Sequence, residues 1–164
     1  KFFPLELAKF FKNLEIVQFY YANLTEIHSS DLQQFGEKLK NIRVHYNMIE
    51  VLEADLFQYT PNLEVFLIHG NNLKHIDDGT FKGLEKLNNL QFKGPNSCID
   101  KSAIDRSAVI TLIPEVELKC KNYQYMLKRY QEATQAQLDE IKASNQAQFD
   151  KINERLLRCQ CKLP

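Results

Sequence analysis

Residues 39–62 read LKNIRVHYNMIEVLEADLFQYTPN, and residues 63–86 read LEVFLIHGNNLKHIDDGTFKGLEK. Laid over each other, both blocks carry apolar residues at positions one, four, six and eleven, with asparagine at position nine. The register extends outward in both directions. Leu14, Leu39, Leu63 and Leu87 open four units at spacings of 25, 24 and 24 residues. Position four holds Val17, Ile42, Phe66 and Leu90, and position six holds Phe19, Val44, Ile68 and Phe92. Position nine holds Ala22, Asn47, Asn71 and Pro95; position eleven holds Leu24, Ile49, Leu73 and Cys98.

A fixed period of about two dozen residues is the mark of a repeat architecture. Positions four and six alternate inward on a short strand, as period-two geometry requires. Inward Asn47 and Asn71 are placed to bond backbone groups where the chain turns out of the strand. A second apolar set, Ile27 and Leu32, Leu52 and Leu56, Ile76 and Phe81, closes the core on the return path. One coil cannot bury its apolar face alone, so neighbours must stack. The pattern L-x-x-L-x-L-x-x-N-x-L resembles that of leucine-rich repeats. It predicts an α/β solenoid: a short horseshoe with a parallel concave sheet over residues 1–96.

The ends of the stack differ from its middle. Phe2, Phe3, Leu5, Leu7, Phe10 and Phe11 resemble the outer half of a preceding unit without its strand. Either the chain begins inside a longer protein, the favoured reading, or this segment caps the first coil. The cap reading requires the phenylalanines to pack over that coil, since an open end exposes an apolar patch. At the other end Pro95 replaces the ladder asparagine. Residues 97–121 form the expected C-terminal cap, with Ile104, Val109, Leu112, Ile113, Val116 and Leu118 to cover the last coil. A Cys98–Cys120 bridge would close a loop of roughly 22 residues and contribute on the order of 3 kcal/mol. Two free buried thiols are the alternative.

Beyond Cys120 the composition shifts to Gln, Ala, Lys and Glu. Three eleven-residue blocks follow: QYMLKRYQEAT from Gln124, QAQLDEIKASN from Gln135 and QAQFDKINERL from Gln146. Leu127, Tyr130, Leu138, Ile141, Asn145, Phe149, Ile152 and Leu156 fall on one stripe, because eleven residues make about three helical turns. A helix over residues 122–158 would be about 55 Å long, much longer than four stacked coils at ~4.8 Å each. Most of it is therefore expected to lie off the repeats and to seek a partner helix, with Asn145 setting register or partner number. The alternative is a hairpin folding back around Ala143 to Gln146. In the tail at residues 159–164, Cys159 and Cys161 lack zinc-site spacing or a nearby histidine. They are candidates for an interchain disulfide.

Outward strand positions line up as columns on the concave face. One column reads Tyr20, His45, His69, Lys93; the next reads Tyr21, Tyr46, Gly70, Gly94; another reads Gln18, Arg43, Leu67, Gln91. Tyr20, Tyr21, Arg43, His45, Tyr46, Leu67 and His69 make a candidate protein-recognition surface, since aromatics and arginine anchor interfaces. Ordinary solvated decoration, or contact with the chain's own tail, is the other reading. His45 and His69 are expected within ~5 Å of each other across adjacent strands. No Asp, Glu or Cys in the neighbouring columns completes a metal shell, so no metal site is expected. His28 and His75 read as solvated turn residues, and Asp77-Asp78-Gly79 as turn chemistry.

The remaining signals bound the function. Twenty-one basic and 21 acidic residues balance to zero net charge, which argues against general nucleic-acid binding. No apolar run approaches the ~20 residues of a membrane span, and Lys1-Phe2-Phe3-Pro4 lacks a full signal-peptide pattern. No phosphate loop, nucleophile elbow, histidine-rich zinc motif or cofactor motif is present, so no catalytic residue or cofactor is expected. Asn23-Leu24-Thr25 is an N-glycosylation acceptor that, with bridging cysteines, points to an oxidising, extracellular setting.

The repeats, the cysteine-bounded cap, the long C-terminal helix and the terminal cysteines together are similar to secreted insect leucine-rich repeat proteins. They resemble in particular the mosquito leucine-rich repeat immune family. That resemblance implies a secreted, non-enzymatic recognition scaffold that pairs through disulfides and a coiled coil. It also implies an innate immune role and a complement-like, thioester-containing protein as partner. A structural module of a larger extracellular protein or complex is the alternative.

Overall fold

The structure, a computed structural model, describes residues 3, 4 and 6–160. The side chains at 8, 153 and 155–160 fall outside that description, so Phe2, Leu5, Cys161 and the side chains of Leu156 and Cys159 are not placed. The elements in chain order are α1 (Leu7–Phe10), β1 (Ile16–Gln18), α2 (Ser29–Gln33), β2 (Asn41–Arg43) and β3 (Val51–Leu52). There follow β4 (Val65–Leu67), β5 (His75–Ile76), β6 (Asn89–Gln91), β7 (Ser102–Ala103), α3 (Arg106–Lys119) and α4 (Tyr123–Gln160). The chain divides into two compact units, Lys1–Tyr123 and Gln124–Pro164.

In the first unit β1, β2, β4 and β6 run parallel, with Val17 opposite Ile42, Ile42 opposite Phe66, and Phe66 opposite Leu90. Each strand is three residues long with its central side chain buried and its flanks turned out. The coil-to-coil ladder continues past the strands: the Val44 N–H donates to Leu67 O at 2.8 Å and the Ile68 N–H to Gln91 O at 3.0 Å. On the outer side β3 and β5 pair in parallel, Leu52 against Ile76. Between the two sheets lies one core containing Leu24, Ile49, Leu56, Leu73 and Phe92, with Phe57 edge-on to Phe66 at 5.0 Å. The whole outer set from Ile27 to Phe81 is buried.

The asparagines hold the turns. Asn47 Oδ1 accepts from the Ala22 and Leu24 N–H groups, and its Nδ2 donates to the carbonyls of Phe19, Val44 and His45. Asn71 repeats the device one coil on, accepting from Ile49 N–H and donating to Val44 O and Ile68 O. Both are buried, and the groups sealed with them, such as Leu24 N–H, Val44 O and Ile68 O, depend on the amide for a partner.

At the stack's start Phe3 packs edge-on against Phe19 at 4.9 Å. Phe10 and Phe11 are 80% and 56% exposed, so these two do not cover the first coil. At its end, Pro95 offers no N–H to a further coil, and the chain doubles back. β7 joins β6 antiparallel, Leu90 opposite Ala103, so the concave sheet is not wholly parallel. Asp105 then caps α3 by accepting from the Ala108 N–H. Val109, Leu112 and Val116, spaced by three and four, bury one face of that helix, whereas Ile104 and Leu118 are exposed and do not cover the last coil as expected. Arg106 donates to the carbonyls of Leu84 and Leu87, pinning the helix start to the last coil. Cys98 and Cys120 are joined by a disulfide, with Cα atoms 5.2 Å apart. The Ile76 N–H donates to Cys120 O at 3.0 Å, so the cap also bonds the outer sheet.

The second unit is the rest of α4, a 38-residue helix about 57 Å long at ~1.5 Å per residue. It is continuous through Ala143–Gln146, so the hairpin does not form; a run without Gly or Pro offers no break. Leu127, Tyr130, Leu138, Ile141, Phe149 and Ile152 are all exposed. Gln135 donates to Asp139, and eleven residues later Gln146 donates to Asp150, each at 2.9 Å.

Candidate functional site

The concave columns meet as a stacked ladder. Tyr20 stacks on His45 with ring centroids 5.5 Å apart, and His45 stacks on His69 at 4.6 Å. Beside them Tyr21 stacks on Tyr46 at 4.9 Å, and Tyr46 meets His69 edge-on at 5.3 Å. The parallel register is the cause. Equivalent residues of adjacent coils sit about one strand spacing apart, which suits flat rings. These rings lie just past the strand ends, where the backbone ladder continues: the Tyr21 N–H donates to Tyr46 O, and Tyr46 N–H to His69 O. Arg43 and Leu67 lie on β2 and β4 themselves.

The turns after β1, β2 and β4 place a left-handed residue at position eight: Tyr21, Tyr46 and Gly70 have φ of 52°, 55° and 70°. Glycine adopts this freely, whereas tyrosine does so at a cost of about 1–2 kcal/mol. A Cβ at Gly70 would come 2.5 Å from Tyr46 Cδ1, so the Tyr46 ring lies across Gly70. Two tyrosines, 71% and 46% exposed, are held in a backbone conformation that glycine adopts more freely. Strain retained at exposed aromatic positions points to function.

His45 and His69 each bury Nδ1 without a hydrogen-bond partner. Burial, and then the Arg43 charge, lower the His45 pKa; burial, then His45 and Lys93, lower that of His69. Neutral rings are therefore favoured. Stacked within 12° of parallel, their in-plane lone pairs run side by side and do not converge on a shared metal. No group of three His, Cys, Asp or Glu able to hold a metal occurs among the described residues.

The other histidines differ from the solvated turn residues expected. His28 is half-buried and lies between Glu53 and Glu26, at 3.0 and 3.4 Å. Its burial opposes protonation, but the Glu53 and Glu26 contacts outweigh it and raise the pKa. His75 is buried, 1% exposed. Its Nδ1 accepts the Asn122 N–H at 2.8 Å and its Nε2 faces Asp77 Oδ1 at 2.8 Å. It is a bolt between the outer sheet and the end of the cap. The signal was present: His75 occupies the position of Val51 in the preceding unit, an inward site on the outer strand. Asp78 pairs with Lys121, which raises the lysine pKa. Asn23 is exposed, with φ 54°.

A shallow cleft between β7 and α3 is lined by Ala103, Ala108, Leu112 and the Lys101–Glu115 ion pair. Ser102, Ser107 and Thr111 also line it; the Ser107 hydroxyl donates to the capping Asp105 carboxylate and the Thr111 hydroxyl to Ser107 O, both local helix contacts. No helix is long and apolar enough to cross a membrane among the described residues.

Parallel coils stacked in register, with aromatic rings along one face, fit a repeat fold, a class that presents an extended surface. Residues 37–96 match the leucine rich repeat family model, which supports a leucine-rich repeat protein. That fold is typically a non-enzymatic protein-interaction scaffold. Comparison with curated proteins and with solved structures found no match.

Proposed function

We propose that this is a secreted, non-enzymatic recognition scaffold that binds a protein partner on its concave face and assembles through α4. The stacked ladder of exposed Tyr20, Tyr21 and Tyr46 with half-buried His45 and His69 carries the reading. Aromatic side chains supply large contact area with few rotors to freeze, and Arg43 and Leu67 extend the surface. An oxidising compartment is favoured by the Cys98–Cys120 disulfide and by the exposed acceptor Asn23. The resemblance to mosquito immune proteins extends this to an innate immune role with a complement-like partner. A structural module of a larger extracellular protein is the second reading, and the same concave face and helix would serve it.

For assembly, the supporting observation is the eleven-residue stripe from Leu127 to Ile152, exposed in a single chain. In a parallel or antiparallel partner it would be buried, with Asn145 in the seam and Cys159 and Cys161 available for an interchain disulfide. Sedimentation equilibrium is expected to show dimers or larger species, part of them covalent on non-reducing gels. Leu138→Glu with Ile141→Glu removes two buried apolar side chains, each contributing about 1.5–3 kcal/mol. Association should weaken at least a hundredfold. A wild-type protein that sediments as a monomer would refute helix-mediated assembly.

A further inference from the structure

We propose that the concave face takes an acidic, tyrosine-bearing peptide segment, seating carboxylates against the outward nitrogens of His45 and His69 between Arg43 and Lys93. This rests on the concave face being a recognition surface and names the chemistry it recognises.

The histidines set the chemistry. A neutral imidazole carries one proton. Placed on Nδ1 it would be a buried N–H with no acceptor, the costly arrangement, because both Nδ1 atoms are buried and unpartnered. The Nε2–H tautomer, which turns its donor away from the buried Nδ1, is therefore the lower-cost choice for both rings, stacked 4.6 Å apart. The face thus offers two adjacent N–H donors and no imidazole acceptor. Charge reinforces this. Arg43 gives its Nε to Asn41 Oδ1, leaving its terminal nitrogens for a ligand, and Lys93 is exposed. The outward columns contain no Asp or Glu, in a chain whose charges balance overall. Asp100 lies at the Gly94 end, its Oδ1 accepting from the Gly94 N–H at 3.3 Å.

A carboxylate accepts such donors through charge-assisted bonds. A peptide fits better than a polyanionic glycan or nucleic acid, whose affinity scales with the number of cations supplied; here Arg43 and Lys93 are the lasting charges. The strained, exposed rings of Tyr21 and Tyr46 suit flat side chains instead. Arg43 and Lys93 stand two coils and two strand positions apart, about 12 Å, near the span of four residues in an extended peptide, whose side chains at i and i+4 share a face. Acidic residues four apart are therefore the matching pattern.

The test is fluorescence anisotropy with the whole protein and a labelled peptide bearing glutamate at every fourth position with tyrosines between. Its glutamine counterpart and a heparin-derived oligosaccharide are the comparison probes. The glutamate peptide should bind at least tenfold tighter than the glutamine peptide, and Arg43→Gln with Lys93→Gln should remove about tenfold. Long-range nitrogen–proton spectra should show Nε2–H tautomers for both rings. Equal binding of the two peptides, lost in Tyr46→Ala, overturns the acidic specificity while leaving protein recognition standing. No binding of either peptide, tighter binding of the oligosaccharide, or an Nδ1–H tautomer on either ring also overturns it.

Discussion

Asn47→Ala is expected to lower unfolding free energy by about 4 kcal/mol, a large part of the roughly 5–15 kcal/mol that separates folded from unfolded states. The side-chain amide makes five backbone bonds, to Ala22, Leu24, Phe19, Val44 and His45. Alanine removes the amide but leaves those groups in place, several of them sealed from water by the adjoining coils. Each buried group left unpaired costs about 1–3 kcal/mol, and local relaxation with water entry recovers part of the total. Asn71→Ala, with three such bonds, should cost less, about 2–3 kcal/mol. Asn41→Ala is the control: its side chain sits on the half-exposed strand flank, where it accepts from Arg43 Nε, and should change stability by under ~0.5 kcal/mol. Urea unfolding followed by circular dichroism measures all three. Equal costs at Asn47 and Asn41 would mean that the amide ladder does not hold the coils.

The second large effect lies at the cap. Cys98→Ser with Cys120→Ser opens a loop of sequence separation 22 and should cost about 3 kcal/mol through the unfolded chain's regained freedom. The loss should be local as well as global. Cys120 also joins the cap to β5 through its carbonyl, and each coil of a solenoid depends on its immediate neighbours. Amide exchange should therefore speed most in α3 and β7, less at Ile42 and Phe66. A reduced protein with unchanged α3 protection would show that Val109, Leu112, Val116 and the Arg106 contacts hold the cap unaided.

The repeat was legible because its cause is local and periodic. An inward residue at positions four and six and an asparagine at nine recur wherever a coil must stack, so Ile42, Phe66, Asn47 and Asn71 announce themselves. The stacked ladder followed from the same register: once His45 and His69 share a repeat position, parallel pairing brings their rings to 4.6 Å. His75 shares the repeat position of inward Val51, but its polar type masked that signal, and its partner, the Asn122 N–H, lies far along the chain. What was not legible at all lacks a period. β7 and α3 follow no repeat; the Asp105 cap and the 109, 112, 116 spacing were their signal, diluted by exposed Ile104 and Leu118. Buried Nδ1 atoms depend on neighbours far along the chain, and no window of sequence reports them.

The account stands on same-direction stacking of the strands, since that alone superimposes the histidines and tyrosines. Nuclear Overhauser contacts between backbone protons of a labelled sample test it most directly. They should link Ile42 to both Val17 and Phe66, and Phe66 to Leu90, in the slanted pattern of parallel strands. Contacts in an antiparallel pattern, or none joining Ile42 to Phe66, would contradict the fold and the recognition surface built on it.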